Sequence, residues 1–195
     1  MKKNLFFLIS AMIVLSGCSA KAVLVKNSVD YDPKTDARIR IYNSAAQKGT
    51  KIFKGKTCQD YSDNKVYANR FYNGLPRKTL KNTTIGIPLT ATSIERLNRS
   101  SYNDVIYFSE EILTANTPVV INGNHFTTGY GPGYYESCQI VGEFTPEAGK
   151  DYELRYGETN NHCRLYIYEL IPETSNADSR IQAKYGKDMP YKKCN

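Results

Sequence analysis

Short stretches of alternating or continuously apolar residues, cut every few positions by Asn, Gly, Pro and Ser, constrain the fold of this chain more than any other feature. Arg38-Ile39-Arg40-Ile41 alternates with period two, as a half-buried strand does, and Thr50–Lys54 reads as its hairpin partner across Gln47-Lys48-Gly49. Further extended segments are expected at Thr84–Ile87, Val105–Phe108, Val119–Ile121, Tyr135–Phe144, Tyr152–Tyr156 and Arg164–Leu170, with an edge strand at Ala22–Val25. Helical periodicity is scarce; one helix is expected over Asn176–Tyr185, with Asp178 near its start and Gly186 near its end. Many short strands with few helices predict an all-β fold: a single antiparallel β-sandwich, Ig-like or transthyretin-like, with a short C-terminal helix or tail.

Lys2 and Lys3 precede an apolar run from Leu5 to Leu15. Its eleven residues fall short of the roughly 20 that cross a bilayer as a helix, so the segment reads as an export signal. Leu15-Ser16-Gly17-Cys18 resembles the lipobox of bacterial lipoproteins. That resemblance implies cleavage before Cys18 and acylation of Cys18, palmitate included, which anchors the chain to a membrane. In Gram-negative lipoproteins an aspartate after the lipidated cysteine signals inner-membrane retention; Ser19 stands there instead, which implies the outer membrane. The competing processing site is Ala20-Lys21-Ala22, whose use would release a soluble protein. The expected organisation is a signal peptide over 1–17, a lipidated tether over 18–36, a β-sandwich domain over 37–172, and a tail over 173–195 tied back by a disulfide.

Without the signal, 178 of 195 residues remain, enough for one domain with a proper core. Loss of Lys2 and Lys3 takes the formal charge from +7 to +5, and a basic surface attracts anionic headgroups, lipopolysaccharide or acidic partners. The cations are scattered, with short runs only at Arg77-Lys78 and Lys192-Lys193, so a generally solvated basic surface is the simpler reading. The envelope compartment speaks against nucleic acid as a partner.

Beyond Cys18, four cysteines remain, Cys58, Cys138, Cys163 and Cys194, which in an oxidising compartment form two disulfides in one of three pairings. Folding Tyr135–Phe144 back on Asp151–Gly157, and that on Cys163–Leu170, brings Cys138 and Cys163 level, both opposite Gly157. The outer strands of a flat meander lie two steps of about 4.8 Å apart, too far for a bridge, so a bend at Gly157 or facing sheets is required. The hypothesis is Cys138 with Cys163 and Cys58 with Cys194. There is no C-x-x-C, and with only His125 and His162 to help, no metal site or cofactor is expected.

Catalytic patterns fail on inspection. Gly49-x5-Gly55-Lys56-Thr57 has one residue too many for a phosphate-binding loop, and Ser62-Asp63-Asn64-Lys65 compresses motifs that penicillin-recognising enzymes keep apart. His125, in the turn-like Asn122-Gly123-Asn124-His125, and His162, beside Asn160-Asn161, read as exposed loop histidines. Glu110 and Glu111 are adjacent and face opposite sides of a strand. The best binding-loop candidates are Tyr130, Tyr134 and Tyr135 in Gly129-Tyr130-Gly131-Pro132-Gly133-Tyr134-Tyr135, where glycines admit close approach and tyrosines offer flat apolar area with a hydroxyl. The competing reading is a glycine-rich β connection with packed tyrosines.

Cys138-x5-Phe144-x-Pro146-x2-Gly149-x2-Tyr152, followed by Cys163 and Arg164–Leu170, resembles a pattern in uncharacterised envelope lipoproteins built as small β-sandwiches. Ala37–Tyr42, Cys58 and Ile85-Gly86-Ile87-Pro88 fit the same pattern. More weakly, the chain is similar to the sandwich lipoprotein that attaches type VI secretion machinery to the outer membrane, without a diagnostic motif. The resemblance implies a fold and carries no activity. The leading expectation is a non-enzymatic outer-membrane lipoprotein, held in the membrane by its lipid, that binds an envelope protein or an anionic glycolipid. The alternatives are an envelope hydrolase whose site is assembled from distant residues, with His125, Glu110 or Glu111 taking part, and an inhibitor or immunity-type lipoprotein acting through the Tyr130–Tyr135 loop.

Overall fold

The period-two pattern of Ala37 to Tyr42 sets the layout. In a computed structural model, which describes residues 24–44, 48–63, 81–98, 106–128, 135–159, 162–174 and 178–194, these residues lie in strand β2 (Asp36–Ser44). Ala37, Ile39 and Ile41 are buried in the main core; Arg38, Arg40 and Tyr42 face the other way. β2 pairs antiparallel with β5 (Ile106–Thr114) and parallel with β8 (Asp151–Thr159). With β9 (His162–Pro172) and β10 (Ala183–Asp188) they form a five-stranded sheet in the order β10-β9-β8-β2-β5.

A four-stranded sheet, β11-β7-β6-β3, consists of β3 (Lys48–Lys54), β6 (Val119–Thr128), β7 (Tyr135–Phe144) and β11 (Lys192–Lys193). One core joins the two sheets. Ile39, Leu113, Leu154 and Ile167 come from the first, and Val119, Ile121, Ile140 and Phe144 from the second. Complete burial of each such side chain stabilises the fold by about 1.5–3 kcal/mol. Phe144 meets Tyr152 edge to face at 5.0 Å, binding the layers through an aromatic pair as well. A third, two-stranded parallel ladder joins β1 (Leu24–Lys26) to β4 (Asn82–Thr84).

Two short helices start on reciprocal caps. Thr57 and Asp60 exchange side-chain to backbone bonds at α1 (Cys58–Asp63), and Thr90 and Ser93 do the same at α2 (Ala91–Asn98). The segment from β4 to α2 lies over the face of the five-stranded sheet that carries Arg40.

Several expectations are corrected. β2 and β3 belong to different sheets and make no hairpin. Neither do β7 and β8: residues 145–150 cross between the sheets, held by the Asn116 N–H donating to the Pro146 carbonyl and by Gly149, at φ +73°, donating to the Asp36 carbonyl. The five-stranded sheet is mixed, since β2 and β8 run parallel. In place of a helix over Asn176–Tyr185, the described residues turn at Asp178, whose carboxylate accepts from the Arg180 amide, and enter β10, which pairs with β9. Asn122-Gly123-Asn124-His125 is no turn but the middle of β6.

The disulfides are Cys58 with Cys194 and Cys138 with Cys163, their Cα atoms 5.2 and 5.9 Å apart. The second joins the two sheets, β7 to β9. Its partners meet by facing layers, and Cys163 lies opposite Glu158, with Gly157 opposite Arg164. The first ties the end of β11 to α1.

Candidate functional site

The face of the five-stranded sheet turned away from the main core carries the buried charges of the described residues, Arg40, Glu110 and Glu153. Register places Arg40 on β2 between Glu110 on β5 and Glu153 on β8. All three side chains are fully out of solvent. A buried ion pair is tolerable only when its hydrogen-bonding capacity is filled, and here it is. Arg40 Nε and Nη2 donate to Glu110 Oε1 at 2.9 and 2.7 Å; Nη1 donates to Glu153 Oε2 at 3.4 Å; the remaining donors reach the carbonyls of Ile87 and Pro88. Glu110 Oε2 accepts from Thr84 Oγ1 and from the amides of Ile85 and Ile87. The sheet's charges thus supply partners to a loop that has none in secondary structure.

Glu153 extends the network outward. Its Oε2 accepts from Tyr42 at 3.1 Å and from Thr90, the cap of α2, at 2.9 Å; its Oε1 accepts from Tyr185 at 2.6 Å and from Arg155 Nε at 3.1 Å. Burial opposes the charge on Arg40, but Glu110, Tyr42 and Glu153 more than offset it, so its pKa is raised. Burial, then the Glu153 charge, pushes the Tyr42 phenol up and the Tyr185 phenol up to about 12, so both remain donors. Beside this cluster Arg38 makes a two-pronged pair with Asp151, both bonds 2.7 Å, under the ring of Tyr31.

Past Glu153 the face opens into a shallow groove of about 270 Å3 lined by Arg155, Tyr156, Gly157, Tyr166 and Tyr168. Tyr166 and Tyr168, two apart on β9, stack with centroids 6.2 Å apart and planes 13° off parallel. The Arg155 guanidinium lies 4.4 Å from the Tyr185 ring centre and 5.4 Å from that of Tyr168. Gly157 gives the Tyr166 ring its place, since a Cβ there would meet Tyr166 Cε2 at 2.6 Å. Arg164 covers Tyr166 at 4.9 Å and pairs with Asp188 at 2.7 Å.

The residues singled out in the sequence do not converge here. Cys18, Tyr130 and Tyr134 lie outside the described residues, and Tyr135 opens β7, its backbone paired with Thr128. His125 sits within β6 opposite Cys138, and His162 is exposed at the start of β9. Glu110 and Glu111 face opposite sides of β5: Glu110 belongs to the Arg40 cluster, while Glu111 pairs with Lys54 at 2.8 Å. Arg155, Tyr166 and Tyr168 were missed, although Arg155-x-Gly157 and Arg164-x-Tyr166-x-Tyr168 carry the period-two signal of one decorated sheet face. Among the described residues no three His, Cys, Asp or Glu side chains are grouped to hold a metal, and no helix is long and apolar enough to cross a membrane. No family model, curated protein or solved structure matches the chain.

Proposed function

We propose that this chain is a lipoprotein of the bacterial outer membrane, anchored through acylated Cys18 after removal of residues 1–17, and that it serves as a non-catalytic binding module for an envelope protein or an anionic glycolipid. The lipobox supports the anchor. The observation that carries the binding role is the division of labour on the outer face of the five-stranded sheet. The carboxylates of Glu110 and Glu153 have both oxygens engaged by donors, whereas Arg155, Tyr166 and Tyr168 face an open groove. Acid–base chemistry needs a carboxylate that can exchange a proton with substrate; recognition needs aromatic area and unspent donors. The shared core supports taking the two large sheets as the layers of one sandwich of the immunoglobulin-like or transthyretin-like kind, with residues 18–36 as its tether.

The test is labelled-palmitate incorporation with membrane fractionation, followed by crosslinking in intact cells. Wild type is expected to take up label and sediment with outer membranes, and Cys18→Ser to do neither. A crosslinked partner lost on Tyr130→Ala/Tyr134→Ala would place recognition on the β6–β7 connection; one lost on Tyr166→Ala would place it on the groove. A wild-type protein that stays unlabelled and soluble overturns the proposal.

A further inference from the structure

We propose that the end of the domain built by β1 and the start of β4 rests on the bilayer that holds Cys18. Leu24 enters the lipid interface there, Lys26 and Lys81 lie among anionic headgroups, and the β9–β10 edge is turned away from the membrane. The proposal rests on the lipoprotein reading and names the surface by which the domain meets lipid.

The chain ahead of β2 is fastened to the domain from Leu24 onward. Leu24, Val25 and Lys26 pair in parallel with Asn82, Thr83 and Thr84. The Asn27 amide donates to the Thr84 carbonyl at 2.8 Å, and the Arg38 guanidinium lies 4.4 Å from the centre of the Tyr31 ring. The Asp32 carbonyl accepts from the amides of Thr35 and Asp36, closing the turn into β2. Cys18 and Leu24 are six positions apart, at most about 22 Å of chain at roughly 3.6 Å per residue. A single domain of this size is about 40 Å across, so a chain anchored at Cys18 cannot turn its opposite side to its own bilayer.

Topology gives that constraint a direction. β4 lies beside β5, where Asn82 Oδ1 accepts from the Phe108 amide and Thr84 Oγ1 donates to Glu110. β10 forms the other edge of the sheet, four strand steps from β5, or about 19 Å at roughly 4.8 Å per step.

The residues at the β1 end suit a lipid interface. Val25 is half-buried, whereas Leu24 and Lys26 are exposed on the opposite side of the strand. Leu24, Val29 and Ile171 are the exposed large hydrophobics among the described residues, and the first two fall within six residues of chain. Lys26 and Lys81 are exposed, and residues 24–29 and 81–84 carry no acid, the first along the chain being Asp30. The neighbouring carboxylates of β5 are engaged, Glu110 by Arg40 and Glu111 by Lys54. A lysine lays its stem along apolar surface and keeps its ammonium in the headgroup layer, where anionic lipid attracts it. Because the anchor makes this contact intramolecular, a modest apolar area is enough to hold it.

Fluorophore labelling of the full acylated chain, in vesicles of phosphatidylethanolamine and phosphatidylglycerol, tests this. With Cys18 acylated and the other four cysteines in disulfides, one added cysteine gives a single thiol. Labels are placed at Lys26→Cys, at Lys81→Cys and, on β10, at the exposed Lys184→Cys. Lipids spin-labelled at the headgroup are expected to quench the first two labels several-fold more than the third. An insert of about twelve Gly and Ser residues after Val23 lengthens the reach of the anchor. Quenching at the first two positions is expected to persist in that chain, and to fall several-fold once Leu24→Ser and Val29→Ser are added. Loss of quenching on lengthening alone overturns the docking surface, and equal quenching at all three labels overturns the orientation. An acylated, vesicle-bound chain whose first two labels stay unquenched overturns the proposal and leaves the lipoprotein reading intact, whereas a chain that takes up no palmitate overturns both.

Discussion

Arg40 and Glu110 face each other across the β2–β5 pair, both side chains wholly removed from water, with guanidinium and carboxylate 2.7 Å apart. Such a pair is a weak source of net stability but a strong constraint, because removing one partner strands the other. Arg40→Met is therefore expected to destabilise the fold by about 3–5 kcal/mol, read from urea unfolding. Adding Glu110→Gln to that variant is expected to recover part of the loss, with a coupling of about 0.5–3 kcal/mol between the two sites. Strict additivity would mean that the pair does not act as a unit.

Glu153 gathers its hydroxyl donors from three elements, and the shortest bond is to Tyr185 at 2.6 Å. Tyr185→Phe removes that donor, keeps the ring over Arg155, and leaves a buried carboxylate one bond short. A loss of about 1.5–3 kcal/mol is expected, the range for hydrogen bonds to charged groups. Tyr168→Phe, on the same face but without a bond to Glu153, serves as the control; an equal loss there would trace the effect to general packing.

The β content of the chain was legible because turn residues punctuate it. The covering of the five-stranded sheet was not. Arg38-Ile39-Arg40-Ile41 reads as a strand with one wet face, since alternation separates two faces without saying what meets the polar one. Here that face meets the segment from β4 to α2, whose loop needs partners for the amides of Ile85 and Ile87 and the carbonyls of Ile87 and Pro88. Hairpins were overread for a related reason: strands close in sequence pair most often within one sheet, but residues 145–150 cross between layers. The pairing of Cys138 with Cys163 emerged even so, because both lie on inward-facing parities whichever way the strands connect. Asp178 and Gly186 mimic helix ends; pairing of Ala183–Tyr185 with β9 overrides them.

Cys58 with Cys194 closes the longer of the two disulfide loops, 136 residues against 25. Chain-entropy reasoning makes it the stronger constraint on the unfolded chain, and its removal is expected to cost about 2–5 kcal/mol. In Cys58→Ser/Cys194→Ser, β11, only two residues long, is expected to lose amide protection first, with the rest of the four-stranded sheet retained. Hydrogen exchange on residues 192–194 measures this, and unchanged protection there would show that β11 holds without the bond. Non-reducing peptide mapping checks the pairing itself.

Alkaline pH should destabilise the fold through two phenols shielded from water, Tyr185 on the face that carries Glu153 and Tyr152 in the main core. Burial raises the Tyr152 and Tyr185 phenols to about 12, and the Glu153 charge adds to the shift at Tyr185. A group whose folded pKa lies above its unfolded value of 10.0 contributes stability that is complete below that value and is lost as pH rises toward the folded one. Stability should thus fall between about pH 10 and 12, without a matching loss from these groups near neutrality. Ultraviolet titration is expected to show Tyr152 and Tyr185 ionising only near pH 12 or with unfolding. Tyr185→Phe should remove part of the late absorbance and flatten the alkaline limb, because phenylalanine has no proton to release. Absorbance lost near pH 10 rather than near 12 in that variant would place the Tyr185 phenol in ordinary contact with water and break its link to Glu153.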